Sequence, residues 1–122
     1  MSKNYLEENI VSDIESILLS GNRNKKHTIL AVDDEQNNLS FLHRTLRGEY
    51  NILLASSGEE ALEFVEEYGD EISLIVSDQK MPIMEGTEFF KRISENYPHI
   101  IKILLTGCDK TLKFPRIRIL RY

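Results

Sequence analysis

Two carboxylates, Asp33 and Asp34, follow the apolar run Ile29-Leu30-Ala31-Val32, and a third, Asp78, follows Leu74-Ile75-Val76-Ser77. Two further runs stop on hydroxyls, Ile52 to Ala55 on Ser56-Ser57 and Ile100 to Leu105 on Thr106-Gly107. Carboxylates gathered in one partly dry corner repel one another and raise the pKa of at least one of them, a conflict that a hard cation resolves. Mg2+ takes oxygen ligands in an octahedron and keeps several waters, so carboxylates, a backbone carbonyl and a phosphate oxygen suit it. The carboxylate of Asp78 is then placed to attack phosphorus and form an aspartyl phosphate. The ion and nearby donors stabilise charge on the transferring group.

Such a corner exists only if the four runs end at one edge. Each has the length of a strand buried on both faces, and helical segments of about a dozen residues separate them. Strand–helix–strand repetition of this kind predicts an α/β fold with a doubly wound parallel sheet, in which ligands sit outside the carboxyl ends of the strands. Asp33, Asp34, Asp78 and Thr106 converge there.

The helices are legible in outline. Leu39, Leu42 and Leu46 form one stripe up to Gly48. Ser57 and Glu60 form a capping box ahead of Ala61, Leu62, Val65 and Tyr68. A third helix is expected from Thr87 to Tyr97, burying some of Phe89, Phe90 and Ile93 and stopped by Pro98. Residues 1–21 read as a separate amphipathic helix with Leu6, Ile10, Ile14, Ile17 and Leu18 on one side and Gly21 as its stop. Residues 22–26 are then a polar linker, 27–107 the core domain and 108–122 an atypical basic segment.

Together, Val32-Asp33-Asp34-Glu35, Ser77-Asp78-Gln79-Lys80-Met81-Pro82-Ile83-Met84-Glu85-Gly86 and Leu105-Thr106-Gly107 resemble the receiver domain of two-component response regulators. The resemblance implies a flavodoxin-like sheet and a phosphorelay role. Asp78 would accept a phosphoryl group from a sensor histidine kinase, and Asp33, Asp34, Asp78 and the backbone carbonyl of Lys80 would hold Mg2+. Asp34 is the better candidate for direct metal contact. Thr106 would act as the switch hydroxyl, read by a downstream output protein or domain, and Gly107 would leave open space beside the acceptor. The family also carries a Lys-Pro pair at the end of a fifth strand, further past the switch hydroxyl than Tyr122 lies, and Lys113-Phe114-Pro115 comes too early to be it. The C-terminal strand and helix are therefore expected to be missing or replaced.

That expectation has consequences for assembly. The alternation of Ile117 and Ile119 with arginines suits a strand, but the link from Leu105 is too short for a parallel crossover. An antiparallel edge strand fits, as does a strand donated to a second molecule; the N-terminal stripe would cover the bare face or support a homodimer. The alternative function is a phosphorylation-incompetent truncated receiver that serves as an interaction scaffold.

Composition narrows the classes. At 122 residues, 41% hydrophobic and 29% charged, the chain holds one globular domain. No run spans a membrane and no signal-like order is seen, so a cytoplasmic setting is expected. Five of the fifteen Lys and Arg fall in residues 110–122, which leaves ten against twenty acids in the first 109. A body so acidic is not expected to bind nucleic acid directly. Single Cys108 and scattered His27, His43 and His99 exclude an internal disulfide and a patterned zinc site. Asp33-Asp34-Glu35 is not the Asp-x-Asp of phosphohydrolases with an Asp nucleophile, and no phosphate-binding Gly loop occurs. The protein is not expected to be an enzyme beyond slow self-dephosphorylation.

Overall fold

The runs that end on acid or hydroxyl residues form the strands expected of them. The structure is a computed structural model that describes residues 12–18, 26–106 and 116–120, with the side chains of 106 and 116–120 outside that description. Strands β1 (Thr28–Val32), β2 (Asn51–Ala55), β3 (Ile72–Asp78), β4 (Ile101–Thr106) and β5 (Arg116–Leu120) make one sheet in the order β2-β1-β3-β4-β5. The first four run parallel. β5 runs antiparallel to β4, with Thr106 opposite Arg116 and Lys102 opposite Leu120, so the fifth position is filled in the way a short return connection allows.

Among the described residues four helices cover the two faces. We label the helix over residues 12–18 α1, followed by α2 (Gln36–Leu46), α3 (Gly58–Tyr68) and α4 (Gly86–Ser94). Helices α3 and α4 pack Ala61, Val65, Phe89, Phe90 and Ile93 on Leu30, Val32, Ile75 and Leu104. On the opposite face α1 and α2 pack Ile14, Leu18, Leu39, Leu42 and Leu46 on Ile29, Ala31, Leu74, Val76 and Ile103. The alternation along β1 to β4 feeds both cores, which is the signature of a doubly wound sheet.

The N-terminal stripe takes the first of the two roles open to it. Ile14 is 1% exposed against the sheet, Leu18 is buried and Ile17 half-buried, so α1 covers a face of its own chain. Its Glu15 lies beside Glu49 of the α2–β2 turn; a hydrogen bond and the like charge there raise the Glu15 carboxyl. Leu6, Ile10, Gly21 and most of the expected linker lie outside the described residues, as do Gly107, Cys108 and Lys113-Phe114-Pro115.

Three local expectations are corrected. β2 is an edge strand, so its Ile52, Leu53 and Leu54 are only half-buried rather than enclosed on both faces. α4 begins at Gly86 and ends at Ser94, short of Pro98, and all three of Phe89, Phe90 and Ile93 are buried. At the start of α3, Ser57 Oγ accepts from the Glu60 N–H at 3.1 Å as a capping box requires. Glu60 reaches one residue further back instead, accepting from Ser56 N–H at 2.7 Å and Ser56 Oγ at 3.0 Å.

Candidate functional site

In this strand order the chain moves outward to β2 on one side of β1 and to β3 on the other, and the carboxyl ends where the direction reverses are where sheets of this class bind ligands. Register sets the neighbours. Val32 pairs with Ser77, so Asp33 and Asp78 leave the sheet side by side. Asp78 pairs with Leu105, which puts the backbone of Thr106 one step beyond it. The carboxylate oxygens of Asp33, Asp34 and Asp78 lie within 4.8 Å of one another.

The three acids are held differently. Asp33 is 4% exposed, and both its oxygens are engaged: Glu35 N–H donates to Oδ1 and Asn38 Nδ2 to Oδ2, each at 3.0 Å. Burial nevertheless pushes the Asp33 carboxyl up, with these two bonds pulling the other way. Its backbone N–H donates to Ala55 O at 3.1 Å, which ties the site to β2. Asp34 is exposed, and its charge faces the corner.

Asp78, half-buried, is pushed up to about 6, first by burial and next by the charge of Asp33; the Gln79 N–H offsets part of this and the charges of Asp34 and Glu35 add to it. Here the expected mutual repulsion adds to the effect of burial. Lys80 follows two residues later with its side chain in solvent. Thr106 closes β4, and its side chain lies outside the described residues.

Asn38 is the site residue that inspection of the sequence passed over. It stands five residues beyond Asp33 on the first turn of α2, from which a short amide reaches back to the strand end; its Nδ2 also donates to Glu35 Oε1 at 3.2 Å. An amide among helix-starting residues is the only signal, and capping explains it equally well.

The loop after Asp78 is pinned to the strand. Gln79 Oε1 accepts from Thr87 N–H at 2.9 Å and Gln79 Nε2 donates to Thr87 Oγ1 at 3.2 Å, while Gly86 N–H donates to Gln79 O at 3.0 Å. A Cβ at Gly86 would press on the Asp78 carbonyl oxygen and lie 2.8 Å from Leu104 Cδ1, so glycine is what lets α4 start this close to β3.

The donor set fits a hard divalent cation. It supplies carboxylate oxygens alone, one of them on an acid raised by its neighbours and so relieved by positive charge.

With this geometry the similarities to other proteins become specific. Residues 29–117 match the response regulator receiver domain. The hydrogenase transcriptional regulatory protein HoxA of Cupriavidus necator is 39% identical over 83 residues, 68% of this chain and 17% of that protein. A probable cyclic di-GMP phosphodiesterase of Vibrio cholerae is 42% identical over 82 residues, 66% of this chain and 18% of that protein. The chain thus spans less than a fifth of the length of these curated relatives. Among solved structures, a receiver domain protein from Clostridium thermocellum superposes with a TM-score of 0.65 at 31% identity, covering 70% of this chain and 68% of that one. The parallel sheet, the acidic corner at its switch point and the match over most of the sequence agree: this chain belongs to the response regulator receiver domain family.

Proposed function

We propose that the domain is a phosphoacceptor module of a two-component relay, modified on Asp78 by a histidine kinase in a Mg2+-dependent reaction and read by a partner protein. The observation that carries this is the Asp78 carboxylate, half-open at the switch point and raised by burial and by Asp33. With its carboxyl pushed up to about 6, Asp78 is still mostly ionised at pH 7, the form that attacks phosphorus. An Asp78 oxygen attacks phosphorus of a phosphohistidine, the O–P bond forms as the N–P bond breaks, and the imidazole leaves with the bonding pair and takes a proton.

Asp33, Asp34, Asp78 and the Lys80 carbonyl would hold Mg2+, with Asp34 in direct contact. When bound, the ion supplies the positive charge that lets a phosphoryl oxygen approach three carboxylates. Asp33, fixed by Asn38 and Glu35 N–H, acts as the immobile wall of the site. Thr106, one step beyond Asp78 on the neighbouring strand, would turn its hydroxyl to the new phosphoryl group and so signal the change. Turnover of a separate substrate is not part of this role.

Relatives named for transcriptional regulation and for cyclic di-GMP phosphodiesterase activity support an output protein or domain as the reader. The setting we propose is the cytoplasm; among the described residues no helix is long and apolar enough to cross a membrane. Incubation with acetyl phosphate and Mg2+ tests the reading. Intact mass should rise by about 80 Da on wild type and stay unchanged on Asp78→Asn. No adduct on wild type would leave the scaffold alternative.

A further inference from the structure

The sheet ends in two strands of unlike character. Among the described residues β2 pairs only with β1 and β5 only with β4, so each presents one unpaired backbone edge. β2 carries none of the usual guards against further pairing. Asn51–Ala55 holds no Pro and no charge, its register with β1 runs unbroken, and Ile52, Leu53 and Leu54 are half-buried. β5 instead alternates Arg116 and Arg118 with isoleucines.

Charge divides the molecule in the same way. No Lys or Arg occurs between Arg47 and Lys80, and eight acids fall from Glu49 to Glu71. Helix α3, which lies against β2, turns Glu59, Glu63, Glu66 and Glu67 to solvent. Among the described residues none of the four meets a base within ion-pair distance. Residues 110–122 carry five bases and no acid. β2 and β5 do not meet within one copy, because β5 stands four strand spacings, about 19 Å, from β2.

We propose that the β2 edge, with the acidic outer side of α3, is the docking surface for β5 of a second copy, so that copies join head to tail in one continued sheet. Of the three edge pairings, β2 on β2 opposes two acidic helices and β5 on β5 opposes two basic strands; β2 on β5 alone joins unlike charge. Strand direction agrees. A translated copy keeps its α3 side level with that of the first, and its β5 runs antiparallel to β2, as β5 already does to β4. Arg118 is the register partner of Leu104, which packs in the core beneath α3 and α4. The positions of Arg118 and, two residues back, Arg116 therefore fall on the side of the sheet that bears the acids. The contact is heterologous, so it does not close at two copies.

Sedimentation velocity on the full chain tests this. In about 50 mM salt the weight-average mass of wild type should pass twice that of the protomer as protein rises from about 10 to 200 µM, and it should return to the protomer in about 0.5 M salt. Arg116→Glu/Arg118→Glu should stay monomeric, as should Glu59→Lys/Glu63→Lys/Glu66→Lys/Glu67→Lys. An equimolar mixture of the two should form 1:1 pairs, through the intact β5 of one and the intact α3 face of the other. Arg116→Lys/Arg118→Lys should assemble like wild type, which separates loss of charge from loss of the strand. A wild type that stays monomeric over that range leaves the acidic edge to another partner and overturns the proposal. One that stops at a dimer overturns it in favour of a symmetric contact, and assembly unmoved by salt overturns it as well; none of these three outcomes needs a variant to fold. A mixture whose components stay apart, while each melts like wild type, also overturns it.

Discussion

At the carboxyl ends of β1 and β3 three like charges share one corner; at the opposite end of the same sheet a buried amine sits among carbonyls. Lys102, on β4, donates to Ile100 O at 2.9 Å and to Tyr97 O at 3.3 Å, and burial lowers its amine. At the same end His99 Nε2 meets Gly69 O at 2.9 Å and His27 Nδ1 meets Ser73 Oγ at 2.8 Å. Polar groups there are matched donor to acceptor, and the Lys102 contacts close the α4–β4 loop. In the acidic corner both oxygens of Asp33 have donors, whereas Asp78, with the Gln79 N–H only partly offsetting burial and like charge, stays raised. One end is arranged for stability, and the other holds unrelieved charge that a ligand can relieve.

Four substitutions, in falling order of effect, break or sharpen that contrast. Gly86→Val, which forces a branched side chain against the Asp78 carbonyl, should lower stability by about 3 kcal/mol in urea unfolding, since backbone is what stands in the way. Lys102→Ala removes the amine and its packed stem and leaves the carbonyls of Tyr97 and Ile100 without that donor. It should cost about 2 kcal/mol in the same measurement. Asn38→Ala should weaken Mg2+ binding about tenfold by calorimetry, because Asp33 loses the donor that fixes its Oδ2.

The smallest effect has the opposite sign. In Mg2+-free buffer at pH 7.5, Asp78→Asn should stabilise by about 1 kcal/mol, a figure discounted for solvent around a half-buried side chain. The sign follows from linkage: the folded carboxyl binds its proton more tightly than the unfolded one. Its protonation therefore favours folding below about pH 4, and this contribution is lost as pH rises through about 6. Thermal melts should show the full advantage of D78N over wild type above pH 7, only about a third of it at pH 4.5 and none once the pH falls well below 4. A destabilising D78N, or a stabilising Lys102→Ala, would end the contrast between the two ends.

Much of the fold could be read before coordinates because it depends on local period. The apolar runs at Ile29, Ile52, Leu74 and Ile100 and the stripe Leu39, Leu42, Leu46 fix element type and face without knowledge of neighbours. Asp33, Asp34 and Asp78 follow as strand ends once the sheet is parallel, and the match of their flanking residues to receivers makes the corner specific. What depends on position in the sheet was less accessible. β2 has the same composition as the other strands, and only its place at the edge leaves it half-buried. That Ser56 rather than Ser57 receives the Glu60 carboxylate, and that Asn38 turns back to Asp33, are matters of side-chain reach that spacing leaves open. The packing of α1 on the sheet is a long-range contact with no local mark beyond its apolar stripe.

The seat of α4 on β3 bears on how a modification at Asp78 would travel. Because Gly86 abuts the carbonyl of Asp78 and Thr87 is gripped by the Gln79 side chain, the first turn of α4 is coupled mechanically to the strand end that carries Asp78. Displacement of that peptide unit therefore acts on the helix as on a lever with its fulcrum at the glycine, and Phe89, Phe90 and Ile93 carry the motion into the interior below.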